Sequence, residues 1–136
     1  MKVFLDANIL FSAASPASPT RQLLEAIQRH ARAVTNEHAW EEARRNLEQK
    51  RPHLVDDLHR LRDRVEFSAK FRALAEPVLP EKDQPIMGGA VASACTHLWT
   101  GDKRHFGRLY GRTVHGTRIV SGPMLADEMA TRGWLP

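Results

Sequence analysis

Four acidic residues spread along the chain each stand where a carboxylate could reach a shared point. They are Asp6, Glu42, Asp83 and Asp102. Asp6 directly follows a short apolar stretch, and Asp102 comes shortly after the apolar Leu98 and Trp99. In an open parallel sheet, ligands gather outside the carboxyl ends of the strands, so acids just after two strands lie where a site is expected. Carboxylate oxygens are the ligands that Mg²⁺ and Mn²⁺ take, and the set is therefore a candidate site for such a cation.

Each acid taken alone also has a purely structural explanation. Asp6 suits a turn or a helix cap, as does Asn8 two residues later. Asp83 stands before a Gln-Pro pair and would make a good helix N-cap. Glu42 is one of several neighbouring glutamates that could simply face solvent, and whether Glu41 or Glu42 is the second acid stays open. Only the complete set indicates chemistry, in which a bound cation would polarise a phosphoryl oxygen and activate water.

Basic residues crowd the segment directly after Asp102. The chain carries a formal net charge of +4, which allows a polyanionic partner but does not require one. Basic groups beside an acidic metal site would neutralise the charge of a phosphodiester, so we expect this segment to contact the phosphates of such a substrate. The residues expected to do so are Lys103, Arg104, Arg108 and Arg112. A solvated loop and edge strand explain the stretch from Arg112 to Arg118 equally well.

The elements that must position these residues alternate between strands and helices. Strands are predicted at 2–5, 33–35 and 97–100, with one or two more in 113–120 on either side of Gly116. Helices are predicted to begin at four capping residues, three of which precede or lie near a proline. These caps are Ser18, Asn36, Asp83 and Ser121. The alternation predicts a single α/β domain over residues 1–136, with a mostly parallel central sheet flanked by helices.

Three further segments complete this outline. A helix is predicted at about 52–67, with a charged outer side and a buried stripe formed by Leu54, Leu58, Leu61 and Val65. Residues 12–18 are predicted to be a loop, and residues 71–79 a linker with at most a short strand. Adjacent glycines in the helix after Asp83, at Gly88 and Gly89, each cost about 1 kcal/mol relative to alanine, so they predict a close helix–sheet contact.

Taken together, these sequences resemble the PIN-domain family over nearly the whole chain. The stretch ending in Asp6 is similar to the family's opening strand with its first acid. Thr100-Gly101-Asp102 is similar to the family's fourth acid and the threonine that supports it. The resemblance implies a PIN-like nuclease domain that cleaves single-stranded RNA with Mg²⁺ or Mn²⁺. It also implies that Asp6, Glu42, Asp83 and Asp102 are the catalytic and metal-binding residues. Asn8 and Thr100 would then hold the carboxylates in orientation.

Many small members of that family are VapC-like toxins of bacterial type II toxin–antitoxin pairs. The resemblance therefore implies a toxin role and an antitoxin partner, and it allows a homodimer. One alternative is a PIN-fold module that binds nucleic acid or protein with little catalysis and no toxin role. Another is a phosphatase with an aspartyl nucleophile, although such enzymes usually carry a second aspartate where this chain has Asn8.

Composition sets the expected compartment. The lone cysteine, Cys95, excludes a disulfide within the chain, and its apolar surroundings indicate a small buried side chain. The sequence shows neither a signal peptide nor about 18 consecutive apolar residues, so no membrane span is expected. We therefore expect a soluble, cytoplasmic protein.

Overall fold

A six-stranded sheet forms the centre of the computed structural model, which describes residues 1–135, and helices pack on both of its faces. The strands are β1 Lys2–Leu5, β2 Arg32–Thr35, β3 Glu66–Phe67, β4 His97–Trp99, β5 Thr113–Val114 and β6 Thr117–Val120. Their order is β3-β2-β1-β4-β6-β5, and every neighbouring pair is parallel except β5 with β6. This architecture confirms the predicted α/β class with a mostly parallel sheet.

Seven α-helices connect the strands within residues 1–135. They are α1 Ala7–Ala14, α2 Pro19–Gln28, α3 Glu37–Lys50, α4 Val55–Leu61, α5 Gln84–Ala92, α6 Lys103–Phe106 and α7 Gly122–Thr131. Three of the predicted caps are confirmed, since Ser18, Asn36 and Ser121 each accept a hydrogen bond from a backbone N–H in the first turn of α2, α3 and α7. These helix starts depend on local bonds, which explains why sequence patterns located them.

The prediction of a loop at residues 12–18 was wrong in its first part. Helix α1 extends to Ala14, and the turn occupies only residues 15–18. The Asp6 side chain caps α1 by accepting a hydrogen bond from the Ala7 N–H. Helix α1 contacts α2, α3 and α4, and it buries Leu10 and Ala13 completely. Because its residues are small or apolar on most sides, no single helical stripe marked it in the sequence.

The predicted helix at 52–67 is broken into several pieces. A single turn of 3₁₀-helix precedes α4, another follows it at residues 62–64, and the chain then enters β3. Strand β3 pairs with the outer edge of β2, where Val34 faces Glu66 and Thr35 faces Phe67. The backbone groups of β2 thereby gain hydrogen-bond partners, which favours a strand over another helical turn. The predicted buried stripe is confirmed, because Leu54, Leu58, Leu61 and Val65 are all buried.

Of the adjacent glycines of α5, Gly89 faces the sheet as predicted, whereas Gly88 lies against the linker at 71–79. A Cβ atom on Gly89 would come 2.8 Å from Asn36 Nδ2 and 3.6 Å from Phe4 Cζ on β1. A Cβ atom on Gly88 would come 2.2 Å from the carbonyl oxygen of Arg72, in the linker at 71–79, which contains no helix or strand. Helix α5 therefore packs tightly against both the sheet and this linker.

Two remaining expectations concern single features. The lone Cys95 is buried, and burial raises the pKa of its thiol to about 11, so it is an inert core residue. The hairpin between β5 and β6 turns at Gly116, whose φ of 89° suits glycine.

In residues 1–135 no helix is long and apolar enough to span a membrane.

Candidate metal centre

The four acids singled out in the sequence line one cleft, which has a volume of about 220 Å³. Strands β1 and β4 are parallel neighbours, with Leu5 opposite Trp99, so the residues that follow them emerge at the same edge of the sheet. Asp6 and Asp102 therefore come from the two central strands. Glu42 reaches the cleft from α3, and Asp83 reaches it from the start of α5. The fold thus brings together side chains that are up to 96 positions apart in the sequence.

Asp6 is the most deeply buried of these acids, with 4% of its surface exposed. Its Oδ1 accepts a hydrogen bond of 2.6 Å from the Ala7 N–H, and its Oδ2 accepts bonds from Thr100 Oγ1 at 2.8 Å and Asn8 Nδ2 at 3.3 Å. Burial raises the pKa of Asp6 to about 6, an effect that the Thr100 and Ala7 hydrogen bonds oppose and the nearby Glu42 reinforces. A cation in the cleft would favour the ionised form.

Thr100 and Asn8 connect the loops that follow β1 and β4. The Thr100 hydroxyl donates to Asp6 and accepts a hydrogen bond of 3.1 Å from the Asp102 N–H. Asn8 Oδ1 accepts a bond of 2.7 Å from the Gly101 N–H, while its amide nitrogen donates to Asp6. These bonds fix the distance between the two strand ends. The sequence did not indicate Tyr110, whose hydroxyl donates to the Thr100 carbonyl oxygen at 2.9 Å and supports the same loop.

Asp83 stands at the N-cap position of α5, but its side chain makes no capping hydrogen bond. The carboxylate instead faces the cleft, with 6% of the residue exposed. Its Oδ2 lies 2.9 Å from His105 Nδ1, although the alignment is not that of a hydrogen bond, and within residues 1–135 this buried oxygen has no hydrogen-bond partner. Burial raises the pKa of Asp83, while the neighbouring His105 lowers it in part.

Asp102 and His105 share the short helix α6. Asp102 Oδ1 accepts a hydrogen bond of 3.2 Å from the His105 N–H, and Asp102 Oδ2 lies 3.0 Å from His105 Nδ1. Within residues 1–135, Asp83, Asp102 and His105 form the single group of acidic, histidine and cysteine side chains whose ligand atoms all lie within 4.8 Å of one another. His105 was not among the site residues predicted from the sequence. Its position three residues after Asp102 was the available signal.

The structure distinguishes the two neighbouring glutamates of α3. Glu41 forms an ion pair of 2.8 Å with Arg44, and the hydrogen bond from this guanidinium lowers the Glu41 pKa. Glu42 has no such partner among the described ion pairs and lines the cleft instead. Of the two candidates, Glu42 is therefore the one that lies beside Asp6 and Asp83.

Basic side chains at the cleft differ from those expected. The four residues of the basic segment, namely Lys103, Arg104, Arg108 and Arg112, are exposed, and none of them lines the cleft. Arg108 also donates a hydrogen bond to the carbonyl oxygen of Val78. Lys50 at the end of α3 and Lys82 just before Asp83 line the cleft instead. In the sequence, the one indication of this arrangement is that Lys82 directly precedes Asp83.

The residues of the cleft fit a hard or borderline divalent cation. Four carboxylates line the cleft, and one buried carboxylate oxygen, Asp83 Oδ2, has no hydrogen-bond partner within residues 1–135. The His105 imidazole nitrogen, although not part of the lining, lies within 3.0 Å of two of these carboxylates. Such oxygen-rich sites suit Mg²⁺ and Mn²⁺. The tightest group contains Asp83, Asp102 and His105, whereas Asp6 and Glu42 border it from the same cleft.

Comparison with known proteins gives a fold relationship. No protein-family model and no curated protein matches this chain. Among solved structures, it is similar to a chain in the crystal structure of VapBC2 from Rickettsia felis bound to a DNA fragment from their promoter. The TM-score is 0.65 at 18% sequence identity, and the match covers 89% of this chain and 98% of the other. A likeness at this level of identity establishes a shared fold.

Proposed function

We propose that this chain is a divalent-cation-dependent ribonuclease of the VapC type, which hydrolyses phosphodiester bonds in single-stranded RNA. The observation that carries the proposal is the convergence of four acids on one cleft, one of which, Asp83, has a buried oxygen without a hydrogen-bond partner in residues 1–135. The likeness in fold to a chain of VapBC2 supports the same class. The earlier resemblance to PIN domains rests on these same acids.

The acids of the cleft and the residues that hold Asp6 have separate roles in this proposal. Asp83 and Asp102 would hold the cation together with Asp6, and Glu42 would either complete the ligand set or accept a proton from the attacking water. A bound divalent cation supplies Lewis acidity toward the phosphoryl oxygen and lowers the pKa of water. Asn8 and Thr100 hold Asp6 through direct hydrogen bonds, so the carboxylate keeps one orientation.

The substrate is proposed to enter beside the lysines of the cleft. Lys50 and Lys82 place positive charge on its walls, where they would offset the repulsion between an RNA phosphate and the acids. The cleft is smaller than the roughly 300–1,000 Å³ of a typical ligand pocket, so it suits one phosphodiester unit of a strand. Lys103 and Arg104, both exposed beyond Asp102, are proposed to contact phosphates farther along the RNA.

The proposed biological role is that of a toxin restrained by an antitoxin. It is supported by the likeness to a chain from VapBC2, a complex bound to promoter DNA. Neighbouring genes provide the simplest check: a short upstream reading frame with a DNA-binding motif and an amphipathic tail is the expected result. The phosphatase alternative is disfavoured because such enzymes usually carry a second aspartate two residues after the first, where this chain has Asn8.

The nuclease proposal is tested with purified chain and single-stranded RNA. Cleavage should require Mg²⁺ or Mn²⁺ and stop in EDTA. Asp102→Asn should lower the rate by at least about 100-fold, because it removes a charge that the cation needs while keeping the size of the side chain. Asp56→Asn is the matched control, since Asp56 is exposed on α4 and should retain the parent rate. Cleavage that persists in chelator, or equal losses in both variants, would contradict the proposed metal mechanism, and RNA binding without any cleavage would favour the binding module.

A further inference from the structure

His105 is held against Asp83 and Asp102 by the way α6 begins. Asp102 Oδ1 accepts a hydrogen bond from the His105 N–H, which fixes the first turn directly after the loop from β4. The next residue, Phe106, is fully buried and anchors the helix in the core. The His105 side chain is itself mostly buried, with 18% of its surface exposed. Its ring therefore forms one group with Asp83 and Asp102, here called the acidic centre, and is not a free surface group.

The ring nitrogen Nδ1 of His105 lies close to two carboxylates. It lies 2.9 Å from Asp83 Oδ2 and 3.0 Å from Asp102 Oδ2. Adjacent ligands around an octahedral cation bound at about 2.1 Å are separated by roughly 3 Å, so these distances are those of neighbouring ligands. Within residues 1–135, neither His105 Nδ1 nor Asp83 Oδ2 has an aligned hydrogen-bond partner, although both atoms are buried.

We infer that His105 Nδ1 is a direct ligand of the divalent cation and that this nitrogen makes the centre prefer Mn²⁺ to Mg²⁺. The inference deepens the proposed function, since it concerns the same acidic centre. Mg²⁺ takes oxygen ligands and gives up its waters reluctantly, whereas Mn²⁺ stands above it in affinity for sites that include nitrogen. Asp83 and Asp102 would bind either ion, so the histidine decides between them.

A competing explanation is that a protonated His105 is merely an ion-pair partner of the two aspartates. In that case the imidazole N–H should align with one carboxylate oxygen, but the close contact with Asp83 lacks hydrogen-bond alignment. An ion pair also gives the protein no means of discriminating between two cations of equal charge. Direct spectroscopy of the bound ion separates these explanations without any RNA.

The experiment uses the full chain, freed of metal by chelation and loaded with less than one equivalent of Mn²⁺. Electron spin-echo modulation should show a directly bound ¹⁴N nucleus in the parent and lose it in His105→Gln. Calorimetric titration should show Mn²⁺ affinity reduced at least about 10-fold in this variant, on the scale of lost metal-site interactions. Mg²⁺ affinity should change much less. His53→Gln replaces an exposed histidine far from this group in the sequence and should match the parent.

Two results would overturn the inference. One is the absence of ¹⁴N modulation in the parent chain, a measurement that does not depend on how any variant folds. The other is an unchanged ratio of Mn²⁺ to Mg²⁺ affinity in a folded His105→Gln chain. Nitrogen coordination without RNA cleavage would contradict the proposed nuclease while supporting His105 as a ligand. Metal-dependent cleavage without nitrogen coordination would support the proposed nuclease and contradict His105 as a ligand.

Discussion

Asp6 shows a conflict between stability and function within one side chain. It is buried beneath the cleft, where desolvation raises its pKa from 3.8 to about 6. At neutral pH the carboxylate is charged in both folded and unfolded chains, and the shift corresponds to a cost on the order of 3 kcal/mol in the folded state. An apolar residue would avoid this cost. The hydrogen bonds from Thr100 and Asn8 instead maintain a charged group ready for a cation.

This conflict predicts how stability changes with pH in metal-free buffer. Because the Asp6 pKa is higher in the folded chain, the folded chain binds more protons between pH 3.8 and about 6. The contribution of Asp6 is therefore most favourable below pH 4 and is lost as the pH rises through 6. Asp6→Asn removes this term, so its stability relative to the parent should increase by about 1–3 kcal/mol from pH 4 to pH 7.

Urea unfolding at several pH values, followed by circular dichroism, measures this difference. Added Mn²⁺ provides the internal check, since a cation that binds the folded parent should offset the loss at pH 7. A difference between variant and parent that stays constant from pH 4 to pH 7 would show that Asp6 is not destabilised by burial.

Thr100 allows a separate test of how carboxylates are oriented. Thr100→Val removes a hydroxyl that donates to Asp6 and accepts from the Asp102 N–H, so cation affinity should fall by about 10–100-fold. Thr117→Val is a matched control because Thr117 is also buried and donates a hydrogen bond of 2.7 Å to the Cys95 carbonyl oxygen. Cys95 precedes β4, whereas Thr100 follows it, so this bond lies at the end of the strand away from the cleft. Both variants should lose about 1 kcal/mol of stability per hydrogen bond. Calorimetry should show normal cation affinity for Thr117→Val, and equal affinities in the two variants would contradict the orienting role.

At the scale of elements, helix α5 determines where Asp83 lies. A Cβ atom would come too close to Asn36 at Gly89 and to the linker at 71–79 at Gly88. The side chain of Gln84 adds hydrogen bonds to the backbone of Leu74 in the same linker. The start of α5 is therefore held from several directions. This rigidity explains how Asp83 can keep a buried carboxylate without capping its own helix.

Gly88→Ala should disturb this arrangement. The added Cβ would come 2.2 Å from the Arg72 carbonyl oxygen, so helix and linker must separate, and the free energy of unfolding should fall by about 1–3 kcal/mol. Gly107→Ala is the control, because its Cβ would meet Lys103 Cβ at an ordinary 3.7 Å and its φ of −54° suits alanine. Thermal unfolding measures both effects. If Gly88→Ala is as stable as the parent, the linker can move away from the added Cβ atom without an energetic cost.

For the whole molecule, the distribution of charge predicts the path of RNA. Lys50→Ala and Lys82→Ala, made in the inactive Asp6→Asn background, should each flatten the log–log salt dependence of RNA binding by about 0.7. Lys70→Ala is the control, because Lys70 is exposed beside β3 and does not line the cleft. Binding is followed by fluorescence anisotropy across salt concentrations.

The same measurement on Lys103→Ala and Arg108→Ala tests the basic segment that the sequence singled out. A flatter slope in these two variants, with none in Lys50→Ala or Lys82→Ala, would place the RNA along α6 instead of across the mouth of the cleft. Arg108→Ala must also be checked for stability, since Arg108 holds the linker through the carbonyl oxygen of Val78.

The sequence by itself determined the features that depend on neighbouring residues. Side chains of Ser18, Asn36 and Ser121 cap helices within three positions of themselves, so their types marked the helix starts. The continuous apolar run of β1 indicated a strand buried on both faces, as parallel strands require. Together, strand ends and helix starts were enough to predict the α/β class and to nominate Asp6 and Asp102 at one edge of the sheet.

Only the tertiary structure decided the features that depend on distant partners. Strand β3 exists because β2 offers it an edge, and α1 is helical where three other helices surround it. His105 became part of the acidic centre because α5 brings Asp83 to within 2.9 Å of its ring, and Lys82 reached the cleft with it. A side chain's neighbours across the fold are set by how whole elements pack, and local sequence patterns carry little of that information.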